Sequence, residues 1–393
     1  MQSVKTPQRR ASAPNSCGTL ALVLLGLSVP LFAPLAIAAD PWQPAGELAR
    51  VRFDKECALI FLPVAVNGEP HQFLLDTGCT TTLVDSTLAK DLRPLSTRTF
   101  QTEGKEIQVP TYSAPRLTVE DFTCEITNVG SIDMSPFREA VGKNFQGIVG
   151  MDFLRSTLLH IDFDNGLVIF CDPKSDQQPP GKQTPLLLDD SLNPKILLRP
   201  RGVDAAVFQI DTGMNGTGDF SKELTDALRH AGEMAPTGIT NQTLRGDASV
   251  GTETLERCNE IDVAGHLHTS LIFSQGTKNA LGLGFLRRHR VTLDFGNGQA
   301  YFEPAEIHKY RDRGDYDGIV VDKEMVVRHV VPGSVADRAG VQVADRLVEV
   351  GATTASLATW PTINNILRTP RSAELTLIVD RDGRQSVISL PGG

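Results

Sequence analysis

Phe-Leu-Leu-Asp-Thr-Gly, at residues 73–78, recurs as Phe-Gln-Ile-Asp-Thr-Gly at residues 208–213. The two aspartates, Asp76 and Asp211, are thus 135 positions apart (211 − 76). In each copy an apolar run leads into a tripeptide that suits a tight turn, because Asp caps turns and Gly tolerates positive φ. A single Asp-Thr-Gly is weak evidence for a site, whereas a duplicated one indicates two related halves.

The similarity continues downstream, where residues 147–170 align without a gap with residues 279–302 at an offset of 132 (282 − 150). Both copies contain an apolar-apolar-Gly followed by a strand pattern, an Asn-Gly turn and a second strand pattern, which predicts a hairpin. Short helical patterns follow each Asp-Thr-Gly at residues 86–92 and 221–228. The remaining short, β-branched segments predict a mainly β architecture of two similar lobes.

Two carboxylates brought to about 3 Å cannot both ionise readily, so one holds a proton while the other stays charged. Such a pair can activate water and protonate a leaving group. Asp76 and Asp211 are therefore the candidate catalytic residues. The hydroxyls of Thr77 and Thr212 can bond across the two loops, and Gly78 and Gly213 allow close approach of backbone N–H groups to the carboxylates.

Over residues 50–305 the chain resembles the retropepsin and pepsin superfamily of aspartic peptidases. That family pairs its Asp-Thr/Ser-Gly loops with a later apolar-apolar-Gly, matched here by Ile148–Gly150 and Ala280–Gly282. The resemblance implies a bilobal acid-protease fold built from two retropepsin-like β lobes. It also implies an endopeptidase that acts on polypeptide substrates without a cofactor. No Cys/His spacing suggests a metal site.

The chain departs from the family after each Asp-Thr-Gly, where Cys79 and Met214 replace the usual Ser, Thr or Ala. Cys79 could be a weak donor, a reactive thiol or a small apolar filler. Met214 is bulky enough to crowd the dyad. These departures leave a second hypothesis open, namely a catalytically weak or inactive peptide-binding protein that retains the fold.

Family members close hairpins over the substrate, and the resemblance implies flap tips at residues 103–105 and 245–247. Tyr112 is either a flap aromatic or an ordinary core or surface tyrosine.

A different pattern begins near residue 315. Residues 332–341 read Pro-Gly-Ser-Val-Ala-Asp-Arg-Ala-Gly-Val, and Asp345 follows. This segment resembles bacterial PDZ domains, which are small α+β domains that bind extended peptide ends by strand addition. The resemblance implies peptide binding at Gly318, Ile319 and Val320. The alternative is a packing module that only stabilises or orients the lobes.

The first residues have the composition of a secretory signal. A basic start precedes an apolar run at residues 20–35 that Pro30 and Pro34 interrupt, and Ala36-Ile37-Ala38 fits a cleavage site. The alternative is a transmembrane anchor, for which the run is short. Cleavage after Ala38 predicts an exported protein, periplasmic or secreted, without stable membrane insertion.

The predicted organisation is a signal peptide (1–38), an N-terminal lobe (45–172), a linker (173–185), a C-terminal lobe (186–308) and a PDZ-like domain (315–393). Removing three positive charges with the signal changes the net charge from −9 to −12 (−9 − 3), which argues against nucleic acid as a partner. Duplicated halves in one chain predict a monomer, with a homodimer as the alternative. Cys57 and Cys171 are candidates for a disulfide, which the sequence leaves open.

Overall fold

The computed structural model describes residues 42–55, 57–102, 105–175, 177–188, 192–306, 318–330, 334–368 and 373–392. The predicted signal peptide lies outside these ranges, as do the first two residues of the predicted flap tip at 103–105. The predicted mainly β fold is confirmed, since most described elements are strands.

The first part of the chain, up to residue 185, forms strands, two short α-helices and a 3-10 helix at Leu88–Asp91. The elements are β1 (Glu47–Arg52), β2 (Phe61–Val66), β3 (Glu69–Leu75), β4 (Leu83–Asp85), β5 (Pro94–Gln101), β6 (Glu106–Ser113), β7 (Leu117–Val119), β8 (Phe122–Cys124), β9 (Asn128–Ile132), α1 (Ser135–Val141), β10 (Gly147–Val149), α2 (Met151–Leu154), β11 (Leu158–Asp162), β12 (Leu167–Cys171) and β13 (Lys182–Pro185).

The second part repeats this pattern with longer strands. Its elements are β14 (Leu187–Leu188), β15 (Pro194–Pro200), β16 (Ala206–Ile210), β17 (Gly218–Ser221), α3 (Lys222–His230), β18 (Met234–Leu244), β19 (Val250–Val263), β20 (His266–Gly276), β21 (Ala280–Leu281), α4 (Leu283–Leu286), β22 (His289–Asp294) and β23 (Gln299–Pro304).

Each lobe is a sheet with the same strand order. Within the described ranges the first runs β5-β6-β9-β4-β10-β3-β2-β7-β8, and the second runs β14-β15-β16-β21-β17-β20-β19-β18. When the second order is read backwards, seven of its strands correspond one to one with seven strands of the first sheet, from β18 and β5 to β15 and β2. In both, the strand that enters Asp-Thr-Gly lies parallel to the strand that ends in apolar-apolar-Gly.

A third sheet joins the lobes, in the order β1-β12-β11-β22-β23-β13 among the described residues. The two predicted Asn-Gly hairpins form its centre, where Leu158 of β11 pairs with Asp294 of β22. The end of the predicted linker is a strand, because β13 extends this sheet through Lys182 opposite Phe302. Backbone groups at a sheet edge need partners, and β13 supplies them for β23.

The core follows from the two-residue period of strands. In β15, Ile196 and Leu198 are fully buried, whereas Leu197 between them is 43% exposed. Cys57 and Cys171 are buried free thiols, so the candidate disulfide does not form in this structure. Cys57 lies in the loop between β1 and β2 rather than on a strand beside Cys171.

The C-terminal segment has a hydrophobic core of its own. Its elements are β24 (Ile319–Val321), β25 (Val327–Val330), α5 (Val335–Ala339), β26 (Arg346–Val350), β27 (Thr353–Thr354), a 3-10 helix (Leu357–Thr359), α6 (Trp360–Arg368), β28 (Leu375–Arg381) and β29 (Arg384–Leu390). Ser334 caps α5 by accepting a hydrogen bond from the Asp337 N–H, and Gly340 ends the helix with φ of 90°.

Candidate active site

The two Asp-Thr-Gly loops are anchored in the same way. The Asp76 N–H donates to the Val149 carbonyl (3.1 Å), and the Asp211 N–H donates to the Leu281 carbonyl (2.9 Å). In each lobe the loop therefore leaves its own strand and is held by the parallel neighbour. This is why the sequence places an apolar-apolar-Gly segment downstream of each Asp-Thr-Gly.

Thr77 and Thr212 interlock the loops, although they are 135 positions apart. Each hydroxyl accepts the opposite threonine's N–H (3.0 Å in both directions). Thr77 Oγ1 donates to the Ile210 carbonyl (2.7 Å), and Thr212 Oγ1 donates to the Leu75 carbonyl (2.9 Å). Both side chains are fully buried. Loss of either hydroxyl would leave buried groups without partners, at a cost of about 1–3 kcal/mol each.

Gly78 and Gly213 allow the carboxylates of Asp76 and Asp211 to approach closely, because each glycine leaves room for the carboxylate of the opposite loop. A Cβ added at Gly78 would lie 2.5 Å from Asp211 Oδ1, and one added at Gly213 would lie 2.5 Å from Asp76 Oδ1. The Gly78 N–H donates to Asp76 Oδ1 (2.7 Å), and the Gly213 N–H donates to Asp211 Oδ1 (3.1 Å). Each carboxylate thus lies between its own glycine N–H and the glycine of the opposite loop.

Burial, followed by the nearby charge of Asp211, raises the pKa of Asp76 to about 7. The Gly78 N–H, the charge of Lys278 and the Cys79 N–H act in the opposite direction. One carboxyl of the pair therefore holds a proton under conditions in which an ordinary aspartic acid has lost it. A protonated carboxyl beside a charged one is the arrangement that acid–base chemistry on a bound water requires.

Cys79 behaves as a neutral filler rather than as a nucleophile. Burial, and then the charge of Asp76, raises the pKa of its thiol well above the usual value. Its Sγ donates to the Thr81 carbonyl (3.0 Å), away from the carboxylates, while its N–H donates to Asp76 Oδ1 (3.2 Å). Of the three roles that the sequence left open, these contacts favour the filler.

The Met214 side chain packs against Gly282. A Cβ added at Gly282 would lie 2.8 Å from Met214 Cγ, so the methionine occupies the space that the absent side chain leaves. The Met214 carbonyl accepts the Leu283 N–H (2.8 Å) at the start of α4. The described contacts of Met214 therefore do not support the expected crowding of the dyad.

The two lobes support their loops by different means. In the first, Thr82 donates from its hydroxyl (2.6 Å) and its N–H (2.8 Å) to Asp152 Oδ1. The repeat places Gly284 where the first lobe has Asp152. Both lobes make a backbone bond at this position, from the Asp152 N–H to the Thr80 carbonyl (3.2 Å) and from the Gly284 N–H to the Gly216 carbonyl (2.9 Å). A side chain at Gly284 would meet the backbone of the second loop, because an added Cβ would lie 2.7 Å from Thr217 N. The Gly-rich stretch after Met214 is thus explained by backbone packed directly on backbone.

Two further residues, Asn193 and Lys278, contact the Asp-Thr-Gly loops and belong to neither motif. Asn193 Nδ2 donates to the Thr77 carbonyl (2.9 Å), which ties the start of the second lobe to the first loop. Lys278 Nζ lies 3.5 Å from Asp211 Oδ2. The repeat offers a signal for Lys278, because the equivalent position of the first lobe is Gln146 and the alignment exposes the difference in charge.

The two predicted flaps meet at their tips. Hairpin β5/β6 carries Lys105 and hairpin β18/β19 carries Asp247, and Lys105 Nζ lies 3.0 Å from Asp247 Oδ2. Ser249, through its hydroxyl and its N–H, and then Lys105 hold the pKa of Asp247 well below its usual range. Tyr112 lies at the base of the first hairpin, where it pairs with Pro94 and Val129 and packs against the core.

The residues assigned to PDZ-like peptide binding lie in and next to β24. Gly318 has φ of 89°, Ile319 is buried in the C-terminal core and pairs with Val330, and Val320 pairs with His329. Tyr316 and Asp317, which precede them, lie outside the described residues.

A group of three or more His, Cys, Asp or Glu side chains able to hold a metal ion is not found among the described residues. In the same part of the chain, no helix combines the length and the apolar character needed to cross a membrane.

In a comparison with protein families, residues 62–153 fit the family model described as Aspartyl protease. Comparison with curated proteins gives no match. The matched range contains the first Asp-Thr-Gly loop and its parallel neighbour β10. It therefore includes Asp76 but not Asp211. The chain therefore contains an aspartyl-protease-like domain within a mainly β fold.

Proposed function

We propose that the chain is an aspartic endopeptidase in which Asp76 and Asp211 together activate water. The observation that carries this proposal is the pair of opposed Asp-Thr-Gly loops, interlocked through Thr77 and Thr212, with each carboxylate against the glycine of the other loop. The family match of residues 62–153 supports the reaction class.

In the proposed reaction the ionised carboxylate removes a proton from water while the water oxygen bonds to the peptide carbonyl carbon. The protonated carboxyl donates to the carbonyl oxygen and stabilises the charge that develops there. The C–N bond then breaks as the nitrogen receives the proton taken from water. The products are a new carboxyl and a new amine, so no further reactant is needed.

The test is digestion of a peptide library by the purified protein, with cleavage positions read by mass spectrometry. We expect internal cleavage that pepstatin inhibits. Pepstatin binding without cleavage at any pH from 3 to 8 would instead support the non-catalytic peptide-binding protein.

The proposed reaction has a defined upper pH limit. Because burial and Asp211 raise the pKa of Asp76 to about 7, the pair loses its shared proton as the pH rises through that value. We expect kcat/KM to fall about tenfold per pH unit above this limit, since no acid then remains to polarise the carbonyl. Thermal unfolding over the same range separates this loss from denaturation. Activity that is still rising at pH 8 would contradict the assignment.

The ion pair between the flap tips is expected to favour the closed cleft. Lys105→Gln removes it, and because the lysine is 65% exposed the pair contributes little to stability. We therefore expect KM for a cleaved peptide to rise by up to about fivefold with little change in kcat, and the difference to shrink at high salt. Arg98→Gln, an exposed charge on the same hairpin, is the control. Equal effects of the two variants would rule out a specific role for the pair.

Export and peptide capture belong to the same proposal. The signal-like residues 1–38 support export, which the N-terminal sequence of the protein recovered from its host would test. The PDZ-like pattern supports binding of peptide ends beside Gly318–Val320. Peptides with a free carboxyl terminus should then bind more tightly than their amidated forms. Equal binding would favour a packing role for the domain.

A further inference from the structure

A lysine breaks the two-fold symmetry of the aspartate pair. Lys278 lies in the loop between β20 and β21, and its Nζ is 3.5 Å from Asp211 Oδ2 and 3.1 Å from Gln209 Oε1. The lysine side chain is 39% exposed, whereas Asp211 is nearly buried. The positive charge therefore acts on Asp211 from the solvent side of the site.

The first lobe has no such cation at the equivalent place. The repeat puts Gln146 opposite Lys278 (278 − 132) and Leu74 opposite Gln209 (209 − 135). Gln146 Oε1 accepts the Gln72 N–H (3.2 Å), and its Nε2 donates to Asn144 (3.0 Å). In the described part of the chain, an ion pair to the dyad is found on the Asp211 side alone.

The other titratable groups near the pair do not restore the symmetry. Cys79, beside Asp76, is a half-buried thiol whose pKa is raised, so it carries no charge. Asp152 lies behind the first loop and accepts from Thr82. Asp219 packs against Gly276, two positions before Lys278. Lys278 also lowers the pKa of Asp76, but its ion pair is with Asp211, so the difference in charge between the two sides of the dyad comes from Lys278.

We propose that Lys278 is a positioning residue that keeps the negative charge on Asp211 and the shared proton on Asp76. This inference rests on the proposed peptidase function and assigns its two roles. Asp211 takes the proton from water as the oxygen bonds to the carbonyl carbon, and Asp76 gives its proton to the carbonyl oxygen. Asp211 then passes its proton to the departing nitrogen, and the proton on oxygen returns to Asp76 as the carbonyl re-forms.

The sharpest test replaces Lys278 by the residue of the first lobe. Without the cation, charge on Asp211 forms less readily, so in Lys278→Gln the acid limb of the kcat/KM profile should move up by about one pH unit. At a fixed pH on the acid limb, kcat/KM of Lys278→Gln should therefore be about tenfold lower than that of the wild type. Lys278→Arg keeps the positive charge, so its acid limb should lie at the same pH as that of the wild type. Lys222→Gln, a lysine of α3 that lies outside the site, should leave the profile unchanged.

A second readout does not depend on activity. Carboxyl carbon-13 titration, with the Asp211 signal assigned by its loss in Asp211→Asn, should show that signal titrating at higher pH in Lys278→Gln. An unchanged acid limb together with an unchanged titration would overturn the role of Lys278, even where the wild type cleaves peptides. Absence of cleavage by the wild type would instead count against the peptidase function, and the titration would then still decide whether Lys278 sets the charge on Asp211.

Discussion

Replacing Asp76 or Asp211 by Asn is expected to lower kcat/KM for peptide cleavage by roughly 10³-fold or more, whichever of the two is changed. Neither carboxyl works alone in the proposed reaction, because one must be charged and the other must hold a proton. Effects of residues that act as a unit are not additive, so the double variant should be little worse than either single one. The measurement is pepstatin-sensitive cleavage of a peptide found in the library digestion.

Exposed aspartates provide the matched controls. Asp91→Asn in the first lobe and Asp204→Asn in the second make the same chemical change at the surface, and both should keep wild-type activity. Full activity in either site variant would show that the two carboxylates do not form one unit. Recovery of activity on mixing the two single variants would reveal pairing between chains, and hence the homodimer that the sequence left as an alternative.

Gly213→Ala is expected to reduce activity by about 100-fold or more, although it adds only one methyl group. That methyl would lie 2.5 Å from Asp76 Oδ1, well inside normal contact distance. Asp76 cannot move away without giving up its bonds from the Gly78 and Cys79 N–H groups. A displacement of about 1 Å in a reacting group can cost 10²-fold in rate.

Gly216→Ala is the matched control in the same loop. A Cβ there meets only the Gly218 N, at 4.0 Å, so the methyl group has room and activity should be nearly unchanged. Thermal unfolding of both variants separates a local effect on the dyad from a general loss of stability. Wild-type activity in Gly213→Ala would mean that the opposed loops are further apart in solution than this structure has them.

Both experiments also decide between the peptidase and a peptide-binding protein that has lost catalysis. The sequence motivated the second hypothesis through Met214, which follows the second Asp-Thr-Gly. In the structure Met214 packs on Gly282, and the loop after it bonds backbone to backbone with α4 and the residues before it. The unusual residue thus has a packing explanation at Gly282.

Much of the fold could be predicted because its signals are local. The Asn-Gly hairpins at residues 158–171 and 289–304 follow from alternating patterns around a turn, and the short helix after the second loop begins after Ser221, whose hydroxyl accepts the Leu224 N–H. Local signals do not reveal structure that depends on a distant partner. Residues 182–185 have the composition of a linker, but the edge of the joining sheet recruits them as β13.

The duplicated motif predicts both the two-lobed β pattern and the pair Asp76 and Asp211, because it encodes them in the order of neighbouring residues. The same motif predicts that Thr77 and Thr212 bond across the loops. The charged contacts become visible in the folded chain alone: Lys278 meets Asp211 across 67 positions, and Lys105 meets Asp247 across 142. Such contacts depend on the distance between lobes and strands after folding, and neither local periodicity nor turn chemistry encodes that distance.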